Sequence, residues 1–270
     1  MRMNPSLRLI ILIFFVAFMV IPVIATVFFS VSTRWDRSIF PEGFTLEWWQ
    51  KVTSNQAFHI TLRNSINLSL GTSLALVILI TPTAYWAHIR VQKSKVIFEI
   101  ISALSFGIPG VILALALIRF YSNIPVPLVN TPNILLLACM ELCFPFMYRP
   151  IANALESINI KTLTEASMSL GGNWIQTLWY VIIPNIMPGV ISGFLLVFST
   201  IFAEFTLTNL LVGARFKTFP IYLVEFTRFD GRQASALATI SFVVAWLVSL
   251  IILLFSGRKT APSGGAIIGH

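Results

Sequence analysis

ESINIKTLTEASMSLGGNWIQTLWYVIIPNIMP, residues Glu156 to Pro188, is a polar stretch flanked by long apolar runs, and it is longer than a simple turn requires. Thr162 or Thr164 is placed to cap a short helix running through Glu165, Ala166 and Leu170. Gly171 and Gly172 end that helix, because glycine accepts the left-handed conformation a sharp stop needs. A second helix, about Trp174 to Ile183, leads to Pro184 and the next apolar run. The pattern predicts a helix–turn–helix lying at a membrane surface.

The membrane follows from composition. The chain has 270 residues, 57% of them hydrophobic and 10% charged, whereas a soluble domain carries about 25% charged residues. So few charges cannot cover a water-facing surface, so lipid must be the solvent for much of the chain. The net charge of +8 comes from basic residues scattered in short segments between apolar runs. That distribution suits loops beside anionic headgroups and gives no sign of a nucleic-acid partner. Cys139 and Cys143 lie one helical turn apart in an apolar stretch and read as packing residues. The first apolar run, Leu9 to Val31, is too long for a signal-peptide core and is expected to remain as an anchor.

About 20 apolar residues cross a bilayer, and six segments qualify: 9–31, 65–87, 97–119, 133–154, 187–211 and 234–255. Pro22, Pro82, Pro109 and Pro145 fall inside them, which lipid tolerates when neighbouring groups satisfy the freed carbonyls. An even number of spans puts both ends on one face. The eighteen Lys and Arg residues then divide nine and nine, so the total does not orient the chain. The short loops do: Arg90, Lys93 and Lys95 follow the second span, while none lies between Tyr121 and Pro132, which favours cytoplasmic termini. On the other face, Thr33 to Asn64 holds Trp35, Phe44, Trp48, Trp49 and Phe58, expected as a strand or helix at the headgroup level. Arg215 to Arg232 is expected to form a short helix at the outer mouth.

With those spans in place, the opening stretch resembles the EAA motif of binding-protein-dependent permeases: Glu-Ala-Ala, three residues, Gly, nine residues, Ile, one residue, Leu, Pro. Glu165, Ala166, Gly171 and Pro184 fall in register, with Ser167 for the second Ala, Val181 for Ile and Ile183 for Leu. The resemblance implies an all-α membrane protein of six transmembrane helices in the type I ABC importer permease fold. It implies one permease domain over 1–258 with a cytoplasmic coupling loop, 156–186, that docks on a separate ATPase. In that role Glu165 supplies a carboxylate contact, Ala166 close approach and Gly171 the turn. The implied partners are a cytoplasmic ATP-binding subunit dimer, a second homologous permease, an external solute-binding protein and the lipid bilayer, in a bacterial inner membrane. The chain has no G-x-x-x-x-G-K-[ST] loop, no H-E-x-x-H and no Ser/His/Asp pattern, so neither enzymatic activity nor a metal or other cofactor is expected of it.

Ionisable groups at membrane depth usually face a bundle interior or a wet cavity. Glu204 lies in a polar patch with Thr206, Thr208 and Asn209 in the fifth span, and Glu141 lies in the fourth. Glu204, then Thr208 and Asn209, then Glu141, are the candidate path residues; a carboxylate satisfied by helix-to-helix hydrogen bonds fits Glu204 equally well. Chain length, the Trp-rich outer segment and E-A-S-x-x-L-G resemble most the spermidine/putrescine branch, which implies a cationic organic solute and a heterodimer of permeases. Branches for 2-aminoethylphosphonate, ferric iron, thiamine and sugar phosphates share the layout. An ion-driven secondary carrier would more often show an internal repeat; a membrane scaffold would explain the spans but not the motif. The Pro-Ser-Gly-Gly tail over 259–270 is expected to be unordered.

Overall fold

The structure, a computed structural model, describes residues 5–36, 38–90, 92–124 and 128–256. In chain order its helices are α1 (Pro5–Ser30), α2 (Glu47–Ser54), α3 (Gln56–Arg90), α4 (Gln92–Gly107), α5 (Gly110–Tyr121) and α6 (Pro132–Glu156). They continue with α7 (Ile160–Ser169), α8 (Trp174–Gln176), α9 (Ile183–Phe202), α10 (Thr206–Leu211), α11 (Phe219–Thr227) and α12 (Gly231–Ser256). A π-helical turn, Thr177–Ile182, joins α8 to α9. Among the described residues the sole β pairing is an isolated antiparallel bridge, Ser32 to Phe44.

Among the described residues five helical runs are long and apolar enough to cross a membrane: Leu7–Ser30, Gln56–Arg90, Pro132–Glu156, Trp174–Phe202 and Gly231–Ile251. The segment expected as the third span is instead two helices, α4 and α5, bent by 100°. Counting that pair as one broken span gives six. The bend has a local cause in Gly107-Ile108-Pro109-Gly110. Pro109 has extended backbone, φ −59° and ψ 135°, and has no N–H to continue the ladder. Pro22, Pro82 and Pro145, by contrast, stay inside continuous helices.

The fifth expected span also differs at both ends. Its helix begins at Trp174, so the second limb of the expected helix–turn–helix and the span are one run. The π turn directly precedes Pro184, whose ring would crowd the carbonyl four residues back; an extra residue in the turn relieves that crowding. At the other end α9 stops at Phe202, and α10 restarts at Thr206.

The described residues fall into two compact units, one within Met1–Arg63 and Thr218–Val244, the other within Asn64–Lys217 and Ala245–His270. The boundary runs inside the continuous helices α3 and α12, within the region expected as one domain. The tail over 259–270 lies outside the described residues.

In the first unit the segment after α1 folds back through Thr33 N–H to Gly43 O (3.0 Å) and Thr45 N–H to Val31 O (2.7 Å). The Trp48 indole donates to Ser32 O at 2.8 Å, and the Arg232 guanidinium lies 4.7 Å from the centre of the Trp48 ring. Phe58 meets Phe219 edge-on at 6.0 Å. No residue in the most apolar window of α1 is buried, so lipid or another polypeptide is its surroundings.

The second unit is built around α6, whose Leu135, Cys139, Met147 and Ile151 are fully buried. α6 packs closely on α9 because Gly189 and Gly193 let the backbones approach. A methyl group at Gly189 would lie 2.5 Å from Ala154 Cβ and 2.6 Å from Pro150 O; one at Gly193 would lie 2.9 Å from the Met147 sulfur. Such contacts do the work that burial from water does in soluble proteins, since lipid tails are as apolar as the side chains.

Candidate functional site

The elbow between α6 and α9 is assembled by short-range hydrogen bonds. α7 is capped by Asn159, whose side chain accepts from the Thr162 N–H at 3.3 Å. The expected caps, Thr162 and Thr164, are not used: the helix starts at Ile160, so Asn159 holds the cap position and its side chain reaches forward to the first turn. Thr164 is buried, with its hydroxyl 3.1 Å from that of Tyr85 on α3. α8 opens with a reciprocal capping box, Gln176 N–H to Asn173 Oδ1 and Asn173 N–H to Gln176 Oε1, both 2.9 Å.

Between the two limbs Gly171 adopts φ +86°, the left-handed conformation expected of it. Gly172 is constrained differently: a Cβ there would lie 2.9 Å from Ser167 O. Ser167 also meets the Thr177 hydroxyl at 2.9 Å, which ties α7 to the π turn. The outer face of α7 is left free for contact. Glu165 and Ala166 are exposed, and Leu170 is 90% exposed. Ala166, Ser167, Leu170, Gly172 and Val181 line an open cleft of about 360 Å³. Pro184 is exposed, just beyond the π turn, and the Asn185 side chain donates to Val181 O at 2.7 Å. The elbow thus brings Glu165, Ala166, Ser167 and Gly171 together, with Pro184 on the adjoining helix.

The elbow is anchored at both ends. Trp174 packs its ring 6.0 Å from that of Tyr85 and 4.7 Å beneath the Arg90 guanidinium. Glu156, at the end of α6, is paired with Lys95, and His88 Nε2 lies 4.0 Å from the same carboxylate.

The candidate path residues are split by the structure. Glu204 occupies the break between α9 and α10, where Oε1 accepts from the Leu207 N–H at 2.7 Å. Thr208 is fully buried, with its hydroxyl 3.4 Å from Glu204 O. Asn209 is exposed and not joined to them. α10 packs on α5 beside Gly110, whose Cβ position would be 3.8 Å from Leu207, so two broken helices meet here. Glu141 is on α6, which also packs on α10; its Oε2 is buried without a hydrogen-bond partner among the described residues. Among the described residues no group of three or more His, Cys, Asp or Glu is placed to hold a metal ion.

Sequence reasoning did not single out Gly189 and Gly193, although their G-x-x-x-G spacing in an apolar helix is a readable signal of close helix approach. Tyr85 had no such signal, because its partner Thr164 is 79 residues away.

Over residues 80–259 the chain matches the family model described as "Binding-protein-dependent transport system inner membrane component". The spermidine/putrescine transport system permease protein PotB of Escherichia coli (strain K12) is 27% identical over 215 residues, covering 74% of this chain and 78% of PotB. The corresponding PotC of Shigella flexneri is 22% identical over 255 residues, covering 93% and 94%. The ferric transport system permease protein FbpB of Actinobacillus pleuropneumoniae is 24% identical over 169 residues, covering 62% of this chain and 24% of FbpB. Among solved structures, a bacterial ABC transporter involved in the import of the acidic polysaccharide alginate superposes with a TM-score of 0.67 at 20% identity, covering 97% of this chain and 99% of that one. That likeness gives the fold, that of the type I importer permeases. A match over residues 80–259, two thirds of the chain, favours a permease over an ion-driven carrier or a scaffold. The chain belongs to the family of binding-protein-dependent transport system inner membrane components, the multi-pass inner-membrane permeases of ABC importers.

Proposed function

We propose that this permease carries a polyamine or similar cationic organic solute by alternating access, driven through the elbow over 156–186 by a separate cytoplasmic ATPase dimer. The observation that carries the mechanical part is the elbow itself. Glu165, Ala166 and Leu170 are presented outward while Thr164 and Ser167 fix the same helix to the bundle. A surface so exposed yet so firmly mounted suits transmission of a push. The basic short loop with Arg90 and Lys95 is near the elbow in the second unit, which supports a cytoplasmic elbow and cytoplasmic termini.

The solute class rests on PotB and PotC, both named for spermidine and putrescine, and on Glu204 and Glu141 at membrane depth. The same two relatives support a heterodimer, in which this chain pairs with a second, homologous permease and receives solute from an external binding protein. Thr208 supports the Glu204 turn, and Asn209 presents an amide at the exposed side of α10.

The test is reconstitution of the complete transporter in vesicles with its neighbouring subunits. Spermidine or putrescine, presented with the binding protein, stimulates ATP hydrolysis and is taken up; ferric iron, 2-aminoethylphosphonate, thiamine and sugar phosphates are not. Stimulation by one of those instead overturns the solute class. ATP hydrolysis indifferent to any loaded binding protein overturns the mechanism.

A further inference from the structure

We propose that Tyr85 and Thr164 form a hydroxyl latch through which the elbow moves α3 as well as α9. This rests on α7 being the ATPase-contacting helix and adds a second lever to it.

The two hydroxyls are 3.1 Å apart, on side chains that are each 3% exposed. Thr164 precedes Glu165, so on a helix of about 100° per residue it points inward while Ala166 and Glu165 stay outside. α7 therefore has one face for an ATPase and another fixed to α3. The other limb of the elbow grips the same end of α3, since Trp174 lies between the Tyr85 ring and the Arg90 guanidinium. By contrast, α9 is continuous with the elbow through the π turn. A push on α7 thus reaches α9 through the chain and α3 through one buried hydrogen bond and one tilted ring-to-ring contact. Farther along α3, Ser69, Thr72 and Ser73 carry buried hydroxyls with no hydrogen-bond partner among the described residues, so displacing α3 displaces a polar face at membrane depth.

A buried hydroxyl pair is worth little to stability but holds geometry, and removing one oxygen leaves the other unsatisfied. Tyr85 and Thr164 are positioning residues on this account, and their loss appears in coupling. In the reconstituted transporter, Tyr85→Phe and Thr164→Val each lower solute moved per ATP hydrolysed by about five-fold, roughly what one neutral hydrogen bond accounts for. The ATPase subunits remain bound. Tyr85→Phe/Thr164→Val is no worse than the worse single variant, and Thr164→Ser restores coupling.

Transport per ATP unchanged in both single variants overturns the latch. So does a double variant whose loss is the product of the two, or Thr164→Ser behaving like Thr164→Val. If Tyr85→Phe does not assemble, the comparison of Thr164→Ser with Thr164→Val decides alone. Glu165→Lys measured alongside separates the two levels. If it leaves ATPase binding and uptake intact, the elbow assignment itself fails. If it detaches the ATPase while the latch variants couple normally, only the latch fails.

Discussion

Glu204 shows how one carboxylate serves two ends, and how to tell them apart. Its Oε1 receives the Leu207 N–H, an end-of-helix bond that any side-chain oxygen at that position satisfies. Its charge is a separate property, costly at membrane depth unless a cation or water meets it. Glu204→Gln keeps an acceptor oxygen and removes the charge. It is expected to lower uptake of a cationic solute at least ten-fold with an unchanged melting temperature. Glu204→Ala is expected to destabilise by about 1 kcal/mol as well, read by thermal unfolding in detergent. A Gln variant with full uptake reduces Glu204 to a helix cap. At this scale Gly171 was legible in the sequence, because only a glycine is at ease at φ +86° between two helices. The true α7 cap was not: Asn159, Thr162 and Thr164 all have capping oxygens, and only the helix start at Ile160 puts Asn159 in the cap position.

Helices in this bundle are held by how closely they approach. Gly189→Leu and Gly193→Leu force side chains into space already filled by Ala154, Pro150 and Met147, so each is expected to cost about 1–3 kcal/mol or more. Gly107→Ala, with nothing within 4 Å of its Cβ position, is expected to be neutral in the same melting assay. Asp230, just before α12, gives a pH-dependent contribution. Burial works to raise its pKa, but hydrogen bonds from the Gln233 side chain and the Arg232 N–H, with the Arg232 charge nearby, hold the carboxyl below its ordinary value. A lowered folded pKa stabilises above the unfolded value and is lost as pH falls through the folded one. The melting advantage of the native protein over Asp230→Ala is therefore expected to be constant near neutrality and to shrink below about pH 4.

The helical type and, counting the bent pair as one, the six spans were legible because a 20-residue apolar run has few other uses. The 100° break at Pro109 was not, since Pro22, Pro82 and Pro145 lie unbroken in similar sequence. What differs is Gly110 directly after the proline and the seat that α10 offers beside it. The π turn before Pro184 was equally hidden, because its cause is a ring-to-carbonyl clash rather than a composition.

For the whole molecule, the motif register from Glu165 to Pro184 gave the family, while the solute is written in a handful of polar groups that the sequence cannot assemble. In the proposed mechanism an exposed elbow on the inner face takes up motion from an ATPase. The most direct measurement places a photo-reactive phenylalanine analogue at Leu170, 90% exposed at the end of α7, in the full transporter in inside-out and right-side-out membrane vesicles. Irradiation is predicted to give a cross-link to the ATP-binding subunit that forms in its presence and is lost with Glu165→Lys. A cross-link to the external binding protein, or none to the ATPase in an intact, transporting complex, would contradict the account.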